Sequence, residues 1–351
     1  NYAIVNSNVP NLVVQHTDVL CGEREFMVEL DTTDLFNSPF RQQFLIKGTV
    51  LATQSINLLQ SDTLAYYWRT KLADPSPDES TDWNVSSFTF INDGPEGWAQ
   101  VDFQQFAGNS TEGMVSDPAS KKIIFAETVT DIAVKTFGAA AGKPADSVSF
   151  RIKGTEYNLF IDILSCRTNT INLIAFDKQT TQPYAGIYLS VFDILFSYGG
   201  RSLICGREPQ VINSFRLDEL IAGNGADIIQ YVDNIDVGDS VVLFNIGDAA
   251  YANWPMDAKN KLGELGISAA QIDNLPSGAP VIILGRKGSA PGSAMVITSS
   301  LSPANAQRLD FSGTITGRTT SGIITSPPIG PAQSWESFVV QLSETESGDQ
   351  V

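Results

Sequence analysis

Histidine and cysteine are nearly absent from this chain, which holds one of the first and three of the second among 351 residues. Zinc sites need closely spaced Cys or His ligands, and His16 with the scattered Cys21, Cys166 and Cys205 cannot build one of ordinary kind. An odd cysteine count excludes a disulfide framework and leaves at most one internal bridge, with the pairing of Cys166 and Cys205 open. A cysteine peptidase requires an imidazole touching its thiol so that the proton can be taken. His16 and Cys21 stand at opposite parity, and in a straight strand their side chains would point to opposite faces. They read as an edge polar residue and a small buried thiol. No catalytic residue and no metal ligand is assigned, and no cofactor is expected.

Charge is scarce as well, at 17% of residues, and it is lopsided. The 22 Lys and Arg face 39 Asp and Glu, for a net charge of -17. Such a surface repels phosphate backbones and anionic lipid instead of releasing their counterions, so nucleic acid is excluded as a partner. No apolar run approaches the roughly 20 residues of a membrane-spanning helix; the greasiest stretch, residues 187–196, is broken by polar side chains. Asn1 opens no basic segment followed by an apolar one. The expectation is therefore a piece covalently continuous with further domains of a larger chain.

What is plentiful is hydrophobic material, 42% of the chain, enough to pack two or three domains of usual size. Residues 11–14, 25–30, 44–51, 63–70 and 87–91 alternate apolar and polar positions and are separated by Asp, Asn, Ser, Pro and Gly clusters. That pattern predicts strands of an antiparallel sandwich over residues 1–92. Residues 97–106, 122–125 and 131–137 read as further strands of a β-rich connector, 93–147. The small, breaker-rich run 138–146 marks a boundary, with a new domain from Val148.

Over 148–300 strands mix with helices. Residues 148–152, 171–176, 240–246 and 280–285 are short β-branched runs, the last two apolar enough to be covered on both faces. Ile228, Ile229, Val232 and Ile235 form one helical stripe, and a second helix runs from Asn253 to Gly266 with Pro255 in its first turn. The expected fold there is α/β, a mixed sheet with covering helices. Residues 301–351 read as the start of a further β module and an acidic tail.

Two resemblances attach to these residues. Asp62 to Lys71 followed by Trp83 to Phe90 resembles the last two strands of a fibronectin type III-like domain, an immunoglobulin-like sandwich, with a Tyr at the sheet corner and a Trp two positions on entering the core. Ile171-Asn-Leu-Ile-Ala-Phe-Asp-Lys, the stretch Val237 to Ala250, the helix Asp257 to Leu265, and Leu275 with Val281-Ile-Ile-Leu-Gly-Arg-Lys-Gly together resemble the interleukin-like EMT inducer (PANDER-like) domain. They match its opening strand with an acidic turn, its central strand, its helix and its final strand. The paired cysteines of the animal members are missing, so their disulfide pattern does not transfer.

Phe88-Thr-Phe-Ile, Glu96-Gly-Trp-Ala-Gln, the stretch Cys205 to Phe215 and Ile329-Gly-Pro-Ala-Gln-Ser-Trp look like segments of very large Bacteroidetes surface proteins exported by the type IX route. Those are similar to a gingipain-type sortase lineage and carry the inducer-like domain downstream of a peptidase-like region. The resemblance implies an extracellular or bacterial cell-surface location.

Several side chains remain as candidates. Asp233, Asp236 and Asp239 recur every third residue and would have to converge to hold calcium; the competing reading is a solvated helix-to-strand turn. The basic turn Gly285-Arg-Lys-Gly lacks the helix start that would hold a phosphate. Tyr184, Tyr188, Tyr198, Tyr251 and Trp254 are candidates for stacking on sugars, against the alternative of ordinary packing. A related domain in the stem of a protein O-mannose glycosyltransferase binds sugar, which adds weight to a glycan. Asp31-Thr-Thr, Asp62-Thr-Leu, Asp146-Ser-Val and Asp239-Ser-Val look like the Asp-Ser/Thr-aliphatic acceptor of that phylum, making Thr32, Thr63, Ser147 and Ser240 O-glycosylation candidates.

The function expected is a non-catalytic binding or scaffold segment whose partner is a glycan or another surface protein. The alternatives are an accessory, substrate-positioning region of a type IX-linked cysteine peptidase or sortase-like protein, and a structural spacer of a long adhesin.

Overall fold

A computed structural model gives the fold and describes residues 1–18, 20–58, 63–143, 147–157, 159, 168–186, 203–205 and 209–340. The chain is β-rich and divides into two compact units, Asn1–Ile124 with Ile323–Val351, and Phe125–Gly322.

The first unit contains β1 (Ala3–Val5), β2 (Asn11–Gln15), β3 (Arg24–Asp31), β4 (Gln42–Gly48), β5 (Leu51–Ser55), β6 (Leu64–Leu72) and β7 (Asn84–Phe90). Five of them make a sheet in the order β1-β7-β6-β3-β4, antiparallel except for the parallel β1–β7 pair; β2 and β5 pair separately. Alternation puts Val28, Leu30, Tyr66 and Phe88 on one face, where Leu12, Val14 and Ala52 from β2 and β5 close over them. Tyr66 and Phe88 are cross-strand partners with rings stacked 5.3 Å apart. Trp68, expected to enter the core, is only partly buried against it.

Two expectations are corrected in this unit. The run 44–51 is not one strand, because β4 and β5 are separated at Thr49 and Val50. A Cβ on Gly48 would lie 2.3 Å from the Leu51 carbonyl oxygen, so the backbones meet where only glycine fits. Residues 97–106 do not form a strand either: Phe103–Gly108 is a 3₁₀ turn. Asp102 accepts from the Gln104 N–H, and the Gln105 side chain accepts from the Val101 and Asp102 N–H groups. This local capping outbids the ladder a strand would need. Downstream come β8 (Ser110–Glu112), β9 (Met114–Asp117) and β10 (Lys122–Phe125), with β9 and β10 paired.

The second unit has strands β11 (Glu127–Phe137), β12 (Ser149–Ile152), β13 (Thr155–Tyr157), β14 (Thr170–Phe176), β15 (Leu203–Cys205) and β16 (Ile212–Arg216), then helices α1 (Leu217–Ala222) and α2 (Ala226–Asp233). It continues with β17 (Ser240–Ile246), α3 (Met256–Leu262), α4 (Ala269–Asp273), β18 (Ile282–Arg286), β19 (Met295–Ile297) and β20 (Arg308–Arg318). A six-stranded sheet, β15-β16-β14-β17-β18-β19, lies between a four-stranded sheet, β13-β12-β11-β20, and a layer of helices. Every residue of β14 and β17 is buried, because each of their faces meets a different core. On one side Ile174, Val242 and Phe244 pack against Ile132, Val134 and Phe150. On the other, Leu173, Val241 and Leu243 pack against Ile228, Val232 and Leu262.

The central sheet is antiparallel throughout, not mixed. Its strand–helix–strand segment, β16 to β17, does cross over, but β14 lies between those two strands and pairs antiparallel with both. Periodicity registers the helix between two strands and is silent about the strand inserted beside them.

The expected boundary near Val148 is also displaced. β11 pairs along its whole length with β20, from Glu127↔Arg318 to Phe137↔Arg308, and with β12 on its other side. Residues 125–147 and 301–322 therefore belong with 148–300, and the separate connector dissolves. The last strand, β21 (Ile323–Thr325), pairs with β8 of the first unit. The helix expected over 253–266 is shorter, Met256–Leu262, with Pro255 as its N-cap residue. α2 matches its stripe: Ile228 and Val232 are buried, and Ile235 is buried just past its end. A Ser268–Gln271 capping box starts α4, a start signal carried by the local sequence.

Candidate binding groove

The second unit opens into a groove where the edges of its two sheets meet. β18 ends in Gly285 and Arg286, and alternation sends Ile282, Leu284 and Arg286 to the face that looks at the four-stranded sheet. Gly285 is required here. A Cβ would lie 2.3 Å from the Leu265 carbonyl oxygen, the same oxygen that accepts from the Arg286 N–H. The following turn is tied to the same place, since the Gly292 and Ala294 N–H groups both donate to the Gly266 carbonyl. This anchoring holds Ser289, Ser293 and Met295 along one wall, Ile315 and the edge backbone of Thr314 and Thr316 along the other, and Ser240 at the base. The space amounts to about 250 Å³. A second indentation, beside Phe215 and Arg216, measures about 10 Å³.

Ser240 is the cross-strand partner of Arg286. The Arg286 guanidinium donates through Nη2 to the Thr316 carbonyl at 3.0 Å. Among the described residues it has no carboxylate partner, whereas every other described arginine does, from Arg24 beside Glu79 to Arg318 beside Glu127. Its neighbour Lys287 points the opposite way and is spent on structure, donating to the Val232 carbonyl at 2.7 Å and to Glu264 at 2.5 Å. The groove thus offers a cationic fork with no carboxylate partner among the described residues, serine hydroxyls, a strand edge, and an apolar side on which Met295 is exposed and Leu284 partly buried.

The three aspartates singled out in sequence diverge. Asp233 pairs with Lys261, Asp236 is exposed, and Asp239 is fully buried with Oδ1 accepting from the Lys178 N–H at 3.0 Å. No group of three metal-ligating side chains forms among the described residues. Burial is the main cause that raises the Asp239 pKa, outweighing the hydrogen bonds with the Lys178 N–H and the Tyr184 hydroxyl, which lower it. Asp177, across the sheet end, behaves oppositely: burial alone would raise its pKa, but hydrogen bonds from the Thr180 and Gln179 N–H groups and the Thr180 hydroxyl bring it below the usual range.

Tyr251 and Trp254 belong to the helix-side core, donating to the Ala279 and Ala249 carbonyls, and present no face for a sugar. Tyr184 is partly buried and donates to Asp177 at 3.2 Å; Tyr188 and Tyr198 lie outside the described residues. His16 and Cys21 are each engaged elsewhere: Nδ1 of His16 accepts from the Asp18 N–H at 3.0 Å, and the Cys21 thiol donates to the Thr49 carbonyl at 3.4 Å. Cys21 is a free thiol, Cys205 is disulfide-bonded, and Cys166 lies outside the described residues.

Of the four hydroxyls matching the acceptor pattern, Thr63 is exposed, Thr32 and Ser147 are partly buried, and Ser240 is 8% exposed within the groove. The aspartates that precede Thr63 and Ser147 lie outside the described residues. No helix among the described residues is long and apolar enough to cross a membrane. Sequence reasoning noticed the basic turn at Arg286 but missed Ser289, Ser293 and the β20 edge, which no local motif marks. Comparison of the chain with protein-family models and with curated proteins finds no match.

Proposed function

We propose that this chain is a non-catalytic binding or scaffold segment of a secreted or cell-surface protein, and that the groove between β18, β19 and β20 is its glycan contact. The observation that carries the reading is the groove's composition. Hydroxyl and backbone groups able to match sugar hydroxyls stand beside an apolar patch of the kind that covers a sugar's C–H face. The bonded state of Cys205 supports an oxidising compartment. The kinship of residues 148–300 with the interleukin-like EMT inducer domain belongs to the same proposal, as does membership of a type IX-exported surface protein.

A second reading draws on a different feature. Trp335, whose ring lies 5.3 Å from that of Trp98, is 65% exposed and Phe338 is 88% exposed, which leaves two apolar side chains open to another protein. It favours an accessory, substrate-positioning role beside a peptidase or sortase-like region over a bare spacer.

Glycan-array binding of the whole chain tests the first reading. Binding by the native chain, lost when Ser293→Trp fills the groove, is the expected result. An array on which the native and filled chains give the same pattern overturns it.

A further inference from the structure

We propose that the groove is a carboxylate-recognition subsite in which Arg286 anchors an acidic sugar. This rests on the glycan reading above and names the class of sugar. In a chain with 17 more acidic than basic residues, an arginine at the surface ordinarily finds a carboxylate of its own. Arg286 is the described exception, and one of its five donors is used, on the Thr316 carbonyl.

Its setting explains why no described carboxylate reaches it. The turn that follows directs Lys287 to Glu264 on the helix side, while Arg286 faces Ser240, Leu284 and Met295, none of which carries charge. The Thr316 contact fixes one edge of the guanidinium plane and leaves the remaining N–H groups for a planar, two-oxygen acceptor, the geometry a carboxylate supplies. Beside it, the Ser240 and Ser289 hydroxyls suit a polyol, with the Ser293 hydroxyl, which donates to the Ala290 carbonyl at 2.6 Å, left as an acceptor, and the exposed Met295 side chain suits a ring face. An acidic pyranose satisfies all three, whereas a neutral one leaves the guanidinium unmatched. A simple carboxylate leaves the serines and Met295 unused.

The whole chain is titrated by calorimetry with galacturonate, galactose and acetate, as the native protein and as Arg286→Gln, Arg286→Lys and Ser293→Trp, each first checked for a native melting transition. Gln retains a donor for the Thr316 carbonyl but no charge, and Lys retains charge without the fork. The expected result is galacturonate bound at least tenfold more tightly than galactose or acetate. That preference should disappear in Arg286→Gln and weaken in Arg286→Lys. Equal binding of galacturonate and galactose, both abolished by Ser293→Trp, overturns the acidic class while leaving the glycan groove standing. Acetate binding as tightly as galacturonate overturns the sugar and leaves an anion site. Galacturonate binding that survives Ser293→Trp overturns both the subsite and the groove reading.

Discussion

Asn245 joins three elements of the second unit through one buried side chain, and its truncation has a cost that can be worked from the contacts. The residue is fully buried in β17. Its Oδ1 accepts from the Val281 N–H at 2.9 Å and the Thr136 hydroxyl at 3.3 Å, and its Nδ2 donates to the Gly247 carbonyl at 2.8 Å and the Phe137 carbonyl at 3.4 Å. Its backbone carbonyl accepts from the Thr136 hydroxyl of β11 at 2.6 Å. Asn245→Ala leaves the Val281 N–H buried without an acceptor, a penalty of about 1–3 kcal/mol. The Gly247 carbonyl sits in a partly exposed turn, where water replaces the lost donor and adds less. With the buried Phe137 carbonyl also losing a long donor contact, the sum is about 2–4 kcal/mol. Thr136→Val removes one donor at nearly constant volume and should cost about 1 kcal/mol. Urea unfolding of the whole chain, followed by far-ultraviolet circular dichroism, reads both values from midpoint shifts of the second unit's transition at unchanged slope. An Asn245→Ala chain within 1 kcal/mol of the parent, or a Thr136→Val chain less stable than Asn245→Ala, would refute the reasoning.

Other substitutions probe other parts of the fold. The raised Asp239 pKa means that its contribution is fully present below the ordinary aspartate range, near pH 4, and is lost as pH rises through the folded-state value. Asp239→Asn should therefore raise the melting temperature at pH 7 and change it much less at pH 4; an equal change at both would count against a buried charge. Arg69 lies between the rings of Phe36 and Trp83, at 4.1 and 4.3 Å, and donates to the buried Glu29 at 2.7 Å. Arg69→Lys should destabilise the first unit by about 1–2 kcal/mol in urea unfolding, and a neutral result would show the stacking to be idle. Cys205→Ser, or reduction of the native chain, should cost about 2–5 kcal/mol, measured by thermal melting with and without reductant.

Local chemistry made much of this architecture legible. The alternation over residues 25–30 and 63–70, the apolar run Val241–Phe244, and the Ile228–Val232 stripe all correspond to elements observed, Arg24–Asp31, Leu64–Leu72, Ser240–Ile246 and Ala226–Asp233. Pairings between distant segments were not legible. β11 and β20 are nearly two hundred residues apart, and nothing in Arg308–Arg318 says which edge it will join. The same limit hid the groove, whose walls come from β18, the turn after it, and β20. Arg286 could be seen in its basic turn, but its freedom from carboxylates is a property of neighbours that only the fold supplies. Tyr251 and Trp254 show the converse, since aromatic residues suited to stacking on a sugar are consumed by the core beneath α3.

The most direct test of the account is hydrogen–deuterium exchange of the whole chain with and without a glycan that it captures on an array. Slower exchange confined to residues 284–295 and 314–316 is the predicted result. Protection that leaves those segments unchanged and appears elsewhere would contradict it.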